Sequence, residues 1–349
     1  MSSSDLYHTR KYLPELIELE SIIEEGHQWI RADTIGLIST PHRRVPIYVL
    51  EMGSDVPNAP VLGLFGGVHG IERIGCQVIL SFLRTLIARL KWDPWIHEQL
   101  AQVRLVIMPM VNPGGMWQNT RCNPNGVDLM RNAPISAMDR VPFLIGGQRI
   151  SHHLPWYRGR RNHPMEAEAQ ALCDTVRSRL LTQSFSISLD CHSGFGAKDR
   201  IWFPYARTFK PIQDLDLAYR LKNLFSETYP QHNFYLFEPQ SQSYTTHGDL
   251  WDYLYDENQD VHHKTFLPLT LEMGSWLWVK KNPRQLFSFF SLFNPVLPHR
   301  HSRILRRHNT LFEFLMSACR AHLNWTEQDN DSRQRTAKEA LAYWYSDPA

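Results

Sequence analysis

The 349-residue chain is predicted to be an α/β protein whose central sheet is covered by helices on both faces. Strand-like apolar runs alternate along the chain with segments whose apolar residues recur at helical spacing. Several runs are almost continuously apolar, which is typical of strands that are buried on both faces. The chain contains no internal repeat and no low-complexity linker, so nothing in its composition divides it into small units.

The N-terminal part predicts a helix, a hairpin and a buried strand. Residues 11–30 place apolar side chains at nearly helical spacing with glutamates between them, which predicts an amphipathic surface helix. Two β-rich runs follow, TIGLIST and VPIYVLEMG, and the polar PHRR between them indicates a hairpin. The next apolar run, PVLGLFGGVHG, predicts a buried strand that ends at paired glycines.

Strands and helices continue to alternate through the middle of the chain. Residues 71–90 predict a helix, and VRLVIMPMVNPGG predicts a second buried strand. A helix is predicted after Pro164 by PMEAEAQALCDTVRSRL, because Pro is favoured in the first helical turn. Two further runs predict a strand followed by a loop, FSISLDCHSGFG, and a last buried strand, FLPLTLEMGS.

One domain boundary is predicted near the C-terminus. Residues 282–298 contain two Asn-Pro pairs and one Leu-Pro pair, which break regular structure. We therefore predict a main domain over residues 1–295 and a helical extension over residues 296–349 that packs on it.

The charge balance excludes some classes of partner. The chain has 37 Lys and Arg against 35 Asp and Glu, so its net charge of +2 gives no general attraction to nucleic acid or to an anionic membrane. Any basic partner surface must be local. The run HRHSRILRRH, residues 299–308, holds four Arg and three His; it predicts a solvated helix face, with an anion-binding or nucleic-acid-binding patch as the alternative.

The sequence also predicts the location of the protein and the state of its cysteines. No window approaches the 18 apolar residues of a membrane span, and the first 30 residues lack an export signal, so we expect a cytoplasmic protein without membrane insertion. The five cysteines are an odd number and contain no CxxC pair, which favours neither a disulfide framework nor a thiolate zinc site.

A metal site is suggested by His69 and Glu72, which follow a buried strand directly at the predicted start of a helix. Imidazole nitrogens and carboxylate oxygens are zinc ligands, and catalytic zinc commonly takes three protein ligands and a water. His192 ends a predicted strand and would lie at the carboxyl edge of the sheet, where open α/β sheets place their sites. An isolated HxxE pair also arises by chance on an exposed helix.

The order of several motifs resembles the zinc carboxypeptidase family. The residues that carry the resemblance are His69, Glu72, Asn112-Pro113-Gly114-Gly115, Gly126-Val127-Asp128-Leu129-Met130-Arg131-Asn132, His192 and Glu272. The resemblance runs from about residue 45 to about residue 280. It implies a mixed, twisted sheet, one Zn²⁺ per chain bound by His69, Glu72 and His192, and Glu272 as general base. Zinc would lower the pKa of its water from about 15.7 towards 7 and polarise a carbonyl oxygen.

The resemblance also implies how a substrate is bound. Arg121 would face the oxyanion, Arg131 would bind the terminal carboxylate of the substrate, and Tyr244 would close over it. In the family the residue before this second arginine is usually Asn, whereas here it is Met130. Asn132 is the predicted substitute for that missing amide.

The predicted function is a zinc-dependent hydrolase that cleaves an amide bond next to a free carboxylate, as a carboxypeptidase does. The expected substrate is a small peptide or an acyl amino acid. One alternative is a deacylase of N-acyl amino acids, as in the desuccinylase and aspartoacylase relatives. Another is a non-catalytic binding protein on the same scaffold. The residues predict no oligomeric state.

Overall fold

A single mixed sheet of eight strands forms the centre of the molecule. The computed structural model describes residues 13–40, 44–194, 196–327 and 329–346. The strands are β1 Arg31–Ser39, β2 Arg44–Gly53, β3 Val61–Gly66, β4 Arg104–Met108, β5 Phe185–Gly194, β6 Asp199–Phe203, β7 Tyr235–Pro239 and β8 Thr265–Gly274. Their order across the sheet is β1-β2-β4-β3-β5-β8-β6-β7.

The strand directions explain the sequence patterns. The central strands β4, β3, β5 and β8 are parallel to one another, whereas β1, β2 and β6 pair antiparallel with a neighbour. All of β3 and nearly all of β5 are buried, as expected for parallel strands covered on both faces. The predicted mixed α/β sheet is therefore confirmed, and the predicted hairpin is the antiparallel pair β1–β2, whose residues 41–43 lie outside the described ranges.

The helices lie on both faces of this sheet. They are α1 Pro14–Glu25, α2 Arg73–Leu90, α3 Pro94–Leu100, α4 Pro113–Gln118, α5 Ala167–Arg179, α6 Leu215–Thr228, α7 Leu250–Glu257, α8 Trp276–Lys281, α9 Phe289–Phe293, α10 Pro298–Arg320, α11 His322–Thr326 and α12 Asn330–Trp344. Consecutive residues of β5 point to opposite faces: the Asp190 side chain contacts Trp251 of α7, whereas Cys191 packs against Gly75 of α2.

The predicted helix over residues 11–30 is shorter in the structure. It spans Pro14–Glu25, and Gly26 ends it; residues 11 and 12 lie outside the described ranges. A buried ion pair between Arg73 and Glu15, at 2.5 Å, joins this helix to the start of α2.

Helices predominate after residue 297, as the prediction of a C-terminal extension requires. Phe312 of α10 packs against Phe82 of α2, and the Trp344 indole of α12 donates a hydrogen bond to the Phe237 carbonyl at 2.8 Å. These contacts fix the helices to the sheet and to its covering helices. The division into two domains at residue 296 stays a prediction. Among the described residues no helix has the length and apolar character needed to cross a membrane.

Candidate metal centre and active site

His69 and Glu72 lie on a turn between β3 and α2. The Glu72 N–H donates to the His69 carbonyl at 3.0 Å, and α2 begins only at Arg73. The helix predicted over residues 71–90 therefore begins two residues later than predicted, with Glu72 as its N-cap residue. A Cβ on Gly70 would lie 2.0 Å from the Gly115 carbonyl carbon, so only glycine lets this turn approach α4 so closely.

The Asn112-Pro113-Gly114-Gly115 motif supports the same turn. The Asn112 side chain accepts the Gly115 N–H at 2.7 Å and thereby caps α4. Its amide group donates to the Val68 carbonyl at 3.1 Å, one residue before His69. The motif therefore holds the backbone that carries the first candidate ligand.

Three candidate ligands converge at the carboxyl edge of the sheet. Ligand atoms of His69, Glu72 and His192 lie within 4.8 Å of one another, and all three residues are buried. Burial alone would raise the pKa of Glu72, but the neighbouring His69, His192 and Arg121 lower it below its usual value. Two imidazoles and one carboxylate, brought together away from water, form a donor set that suits Zn²⁺.

Arg121 stands against this group and contacts two of its members. Its guanidinium donates to Glu72 Oε1 at 3.0 Å and to His69 Nε2 at 2.7 Å. Its Nε donates to Asp128 Oδ2 at 2.9 Å, and this bond holds the guanidinium in place. Burial and the Arg121 charge hold the pKa of His69 well below its usual range, in agreement with a neutral ring that accepts a hydrogen bond from the arginine.

Two observations test whether a metal ion fits here. The guanidinium of Arg121 shows that Glu72 and His69 already direct lone pairs at a cation. In addition, His69 Nδ1 is buried with no hydrogen-bond partner among the described residues, and lies 3.8 Å from Asp128 Oδ1. A ring whose far nitrogen faces a carboxylate is the arrangement that orients metal-bound histidines. The residues therefore fit a zinc ion.

His192 lies near the carboxyl end of β5, between two carboxylates. Its Nδ1 lies 3.3 Å from Glu72 Oε2, and its Nε2 lies 2.7 Å from Asp190 Oδ2. Asp190 in turn accepts the Trp251 indole N–H at 3.0 Å. Burial lowers the pKa of His192, but Asp190 and Glu72 outweigh this and raise it well above its usual value. The ring is therefore held in one orientation from both sides.

Glu272 lies beside His192 because of the strand register. The two residues are direct partners in the parallel β5–β8 pair, so their side chains leave the same face of the sheet. Burial raises the pKa of Glu272 to about 7, with a further contribution from Glu72. A Cβ on Gly194 would lie 2.8 Å from Glu272 Oε2, so glycine at this position leaves room for the carboxylate.

Arg131 and Tyr244, the two residues predicted to bind substrate, lie close to each other and to Arg121. Arg131 is buried and donates to the carbonyls of Ile145 and Met130, at 3.3 and 3.2 Å. Tyr244 interacts with Arg131, packs edge-on against Trp202, and has its phenol pKa raised by burial. The structure therefore brings the two predicted substrate residues together.

Asn132 does not face the same space. Its Oδ1 accepts the Glu166 N–H at 2.6 Å, and its amide donates to the Arg158 carbonyl at 3.0 Å. Both ends of the side chain are thus used by the backbone, and the residue is buried. The geometry indicates that Asn132 holds the loop and does not replace the amide that is missing at Met130.

Three contributors were not among the predicted site residues. Asp128 fixes Arg121, Trp251 fixes Asp190, and the Ser193 N–H donates to Glu72 Oε2 at 2.9 Å. Asp128 belongs to the motif that carries the resemblance, so its place in the motif was the one available signal. The other two act through contacts between strands, turns and helices that are distant in sequence.

The chain is similar in sequence to known proteins. The zinc carboxypeptidase family model matches residues 34–275. The chain belongs to the zinc carboxypeptidase family. The carboxypeptidase N catalytic chain of Rattus norvegicus is 26% identical over 269 residues, which cover 68% of this chain and 56% of that protein. Carboxypeptidase E of Caenorhabditis elegans is 32% identical over 169 residues, which cover 43% and 34% of the two chains.

Solved structures agree with this zinc carboxypeptidase fold. Bovine thrombin-activatable fibrinolysis inhibitor, solved with a tick carboxypeptidase inhibitor, has a TM-score of 0.61 at 21% identity and covers 88% of this chain and 95% of its own. Carboxypeptidase A from Helicoverpa armigera has a TM-score of 0.63 at 16% identity, with coverages of 88% and 72%. At these identities the likeness shows the fold. The chain spans little more than half of the length of the rat carboxypeptidase N catalytic chain.

Proposed function

We propose that the protein is a zinc-dependent hydrolase that cleaves an amide bond next to a free carboxylate, as a carboxypeptidase does. One observation carries the proposal: a buried His-Glu-His ligand set lies beside a carboxylate, Glu272, that strand register places next to His192. Family membership supports the hydrolase class. The intact ligand set argues against a scaffold that only binds.

His69, Glu72 and His192 would hold the zinc, which supplies a nucleophilic water at neutral pH and polarises the substrate carbonyl. Glu272 is the residue that takes a proton from the attacking water and returns it to the leaving amine. Its position beside His192 puts the carboxylate within the same small space as the ligands. Gly194 keeps that space open on the adjacent strand.

Arg121 is the proposed oxyanion donor. At present its guanidinium donates to Glu72 and His69, through the lone pairs that a metal ion would take. Once those lone pairs are engaged, its N–H groups are free to donate to the substrate's carbonyl oxygen. Asp128 keeps the guanidinium in place through Nε throughout.

The substrate carboxylate is proposed to bind near Arg131, where the local charge is positive. Arg131 and Arg158 both lie next to Gly147: a Cβ there would be 3.2 and 3.1 Å from their side-chain Cδ atoms. Burial, Arg149 and Arg131 together lower the pKa of Arg158 to about 10. In the described part of the chain none of these three arginines forms an ion pair with a carboxylate. An anionic substrate group would therefore be attracted to this side.

A product scan tests the proposal. The zinc-loaded protein is incubated with a pool of short peptides and a pool of N-acyl amino acids, and products are identified by mass spectrometry. We expect single C-terminal residues to be released, and Glu272→Gln to slow this by about 10²–10⁴-fold while zinc stoichiometry is kept. Glu227→Gln, an exposed glutamate elsewhere, serves as the matched control.

The other outcomes separate the alternatives. Release of acyl groups alone would transfer the protein to the deacylase class. Absence of products from both pools with zinc bound would contradict the proposal and favour a binding protein. Equal turnover by the wild type and Glu272→Gln would keep the hydrolase but remove Glu272 as the base.

A further inference from the structure

Residues 276–296, which we call the aromatic rim, expose large apolar side chains beside the site. The exposed fractions are 92% for Phe287, 62% for Phe289 and 52% for Leu286, and Phe290 is also exposed. Contiguous exposed apolar patches are uncommon on soluble monomers and mark interaction surfaces. None of these four side chains takes part in the chemistry proposed above.

The rim is fixed to the active-site edge of the sheet. The Asn294 side chain donates to the Ile71 carbonyl at 2.8 Å and accepts the Ile74 N–H at 3.1 Å, on either side of Glu72. The Ser193 hydroxyl donates to the Phe293 carbonyl at 2.8 Å. The exposed aromatic residues therefore lie on the same edge as the candidate metal ligands.

The segment that carries the rim has charged side chains of one sign only, and of these Arg307 is ion-paired with Asp199 of β6. Residues 273–312 contain seven Lys or Arg and no Asp or Glu, although the whole chain is nearly neutral. Lys280, Lys281 and Arg284 are exposed within the rim, and no described carboxylate pairs with them. Arg300 of α10 donates to the Trp278 and Lys281 carbonyls, which brings the basic helix α10 against the rim.

We propose that the aromatic rim docks this protein on an anionic lipid surface. Phe and Leu side chains insert at the boundary between head groups and acyl chains, and Lys and Arg beside them bind the anionic head groups. The rim presents both features side by side, and it does so without crossing a bilayer.

The charge also decides against the other occupants of such a patch. A second copy of this chain would bring the same positive surface against itself, and like charges repel. A single-stranded nucleic acid would use the lysines and arginines and would stack bases on the phenylalanine rings, but it would leave the aliphatic Leu286 exposed to water, and the oligonucleotide competition below separates it from lipid. An anionic bilayer uses both the charge and the apolar surface.

Vesicle co-sedimentation of the full chain tests the proposal. We expect binding to vesicles of phosphatidylcholine with a third of phosphatidylglycerol, weak binding to phosphatidylcholine alone, and a loss of binding as salt rises. Phe287→Ser/Phe289→Ser and Lys280→Glu/Lys281→Glu should each weaken binding by about tenfold or more, because each removes one of the two contributions. Because no metal or turnover is needed, this result is independent of the proposed hydrolase activity.

Matched controls exist on other surfaces. Trp92→Ser removes an aromatic side chain that is 73% exposed at the end of α2 far from the rim, and Lys210→Glu/Lys338→Glu reverses two exposed charges outside residues 273–312. These controls should bind vesicles like the wild type, and all variants should keep the wild-type unfolding midpoint.

Four results with vesicles or with the protein alone would overturn the proposal. They are absence of binding to anionic vesicles, equal binding to neutral and anionic vesicles, equal loss of binding in the control variants, and concentration-dependent self-association in sedimentation velocity that the rim variants abolish. The last would assign the rim to a second copy. A short single-stranded oligonucleotide should not displace the protein from vesicles at physiological salt. If the protein bound the oligonucleotide in preference to the vesicles, that result would also contradict the lipid assignment.

Discussion

The ligand side of the site, around His69 and His192, is held by charged side chains, whereas the carboxylate side, around Arg131, is held by backbone carbonyls. On the ligand side, Arg121 contacts Glu72 and His69, and His192 contacts Glu72 and Asp190, all within 3.3 Å. On the carboxylate side Arg131 and Arg158 donate to carbonyl oxygens and meet no described carboxylate within ion-pair distance.

This difference shows which part of the site the sheet determines. The ligand side stands on strand ends and on one tight turn, where strand register sets the positions. The carboxylate side stands on the loops of residues 133–163 and 240–249. We therefore expect mutations on the first side to change metal binding, and mutations on the second to change stability or substrate affinity.

The largest effect is expected from Glu72→Gln. The variant keeps the shape of the side chain but removes the negative charge between His69, His192 and Arg121. Zinc affinity, measured by competition with a chelator, should fall by more than about a hundredfold, because loss of a ligand exceeds loss of its supporting contacts. Glu98→Gln, on the exposed face of α3, should leave affinity unchanged. An unchanged zinc affinity in Glu72→Gln would remove Glu72 from the ligand set.

On the other side, Asn132→Ala should affect stability and leave substrate binding alone. It leaves the partly buried Glu166 N–H and the buried Arg158 carbonyl without their partner, at a cost of about 1–3 kcal/mol in the free energy of unfolding. Urea unfolding measures this cost, and Asn258→Ala, a buried Asn remote from the site, gives the comparison. A raised KM with unchanged stability would restore the substrate role predicted from the sequence.

Trp251→Phe tests how far the ligand side extends into the core. It removes the indole N–H that fixes Asp190 while keeping an aromatic ring in place. Zinc affinity should fall by about tenfold, the lower end of the range for partners of metal ligands. Trp344→Phe also removes a buried indole donor, but at the Phe237 carbonyl, and should change stability only. Equal zinc affinities in the two variants would show that Asp190 needs no support.

The smallest effect is expected at His247, on the carboxylate side. Its Nδ1 accepts the Ala137 N–H at 2.8 Å, and burial together with Arg158 and Arg131 lowers its pKa. The unfolded chain therefore binds the proton on His247 more tightly than the folded chain does. The contribution of the neutral His247 ring to the free energy of unfolding is complete above about pH 6.5 and is lost as the pH falls. Wild type should lose more stability than His247→Asn between about pH 7.5 and 5.5.

The matched control for His247 is His27→Asn, on an exposed residue. We would measure the free energy of unfolding of wild type, His247→Asn and His27→Asn at both pH values. Amide exchange at Ala137 would be measured alongside. Parallel pH dependence in wild type and His247→Asn would show that the histidine carries no linkage.

The sequence was sufficient to predict that the candidate residues on the strands lie together. His192 and Glu272 end two buried apolar runs, and the carboxyl ends of parallel strands meet at one edge. His69 and Glu72 follow a third such run, and the helix after them begins two residues later than predicted. The regular geometry of a parallel sheet makes such meetings predictable.

The loop-borne contacts were not predictable in the same way. Nothing in the motif around Asn132 shows that a distant Glu166 N–H will take its side chain. The exposure of Phe287 was equally hidden, because an apolar run between prolines also suits a buried connection. These outcomes depend on irregular backbone that brings residues far apart in sequence together. The cytoplasmic location stays a prediction.

The ten paired positions of β5 and β8 have a consequence for the assembly of the molecule. If β8 slid along β5 by one residue, Glu272 would emerge on the opposite face from His192, and a slide of two would displace it by about 6.6 Å. Either misalignment would leave a folded sheet with an incomplete set of reacting groups. Turnover per bound zinc would then count only the molecules in which these two strands are correctly aligned.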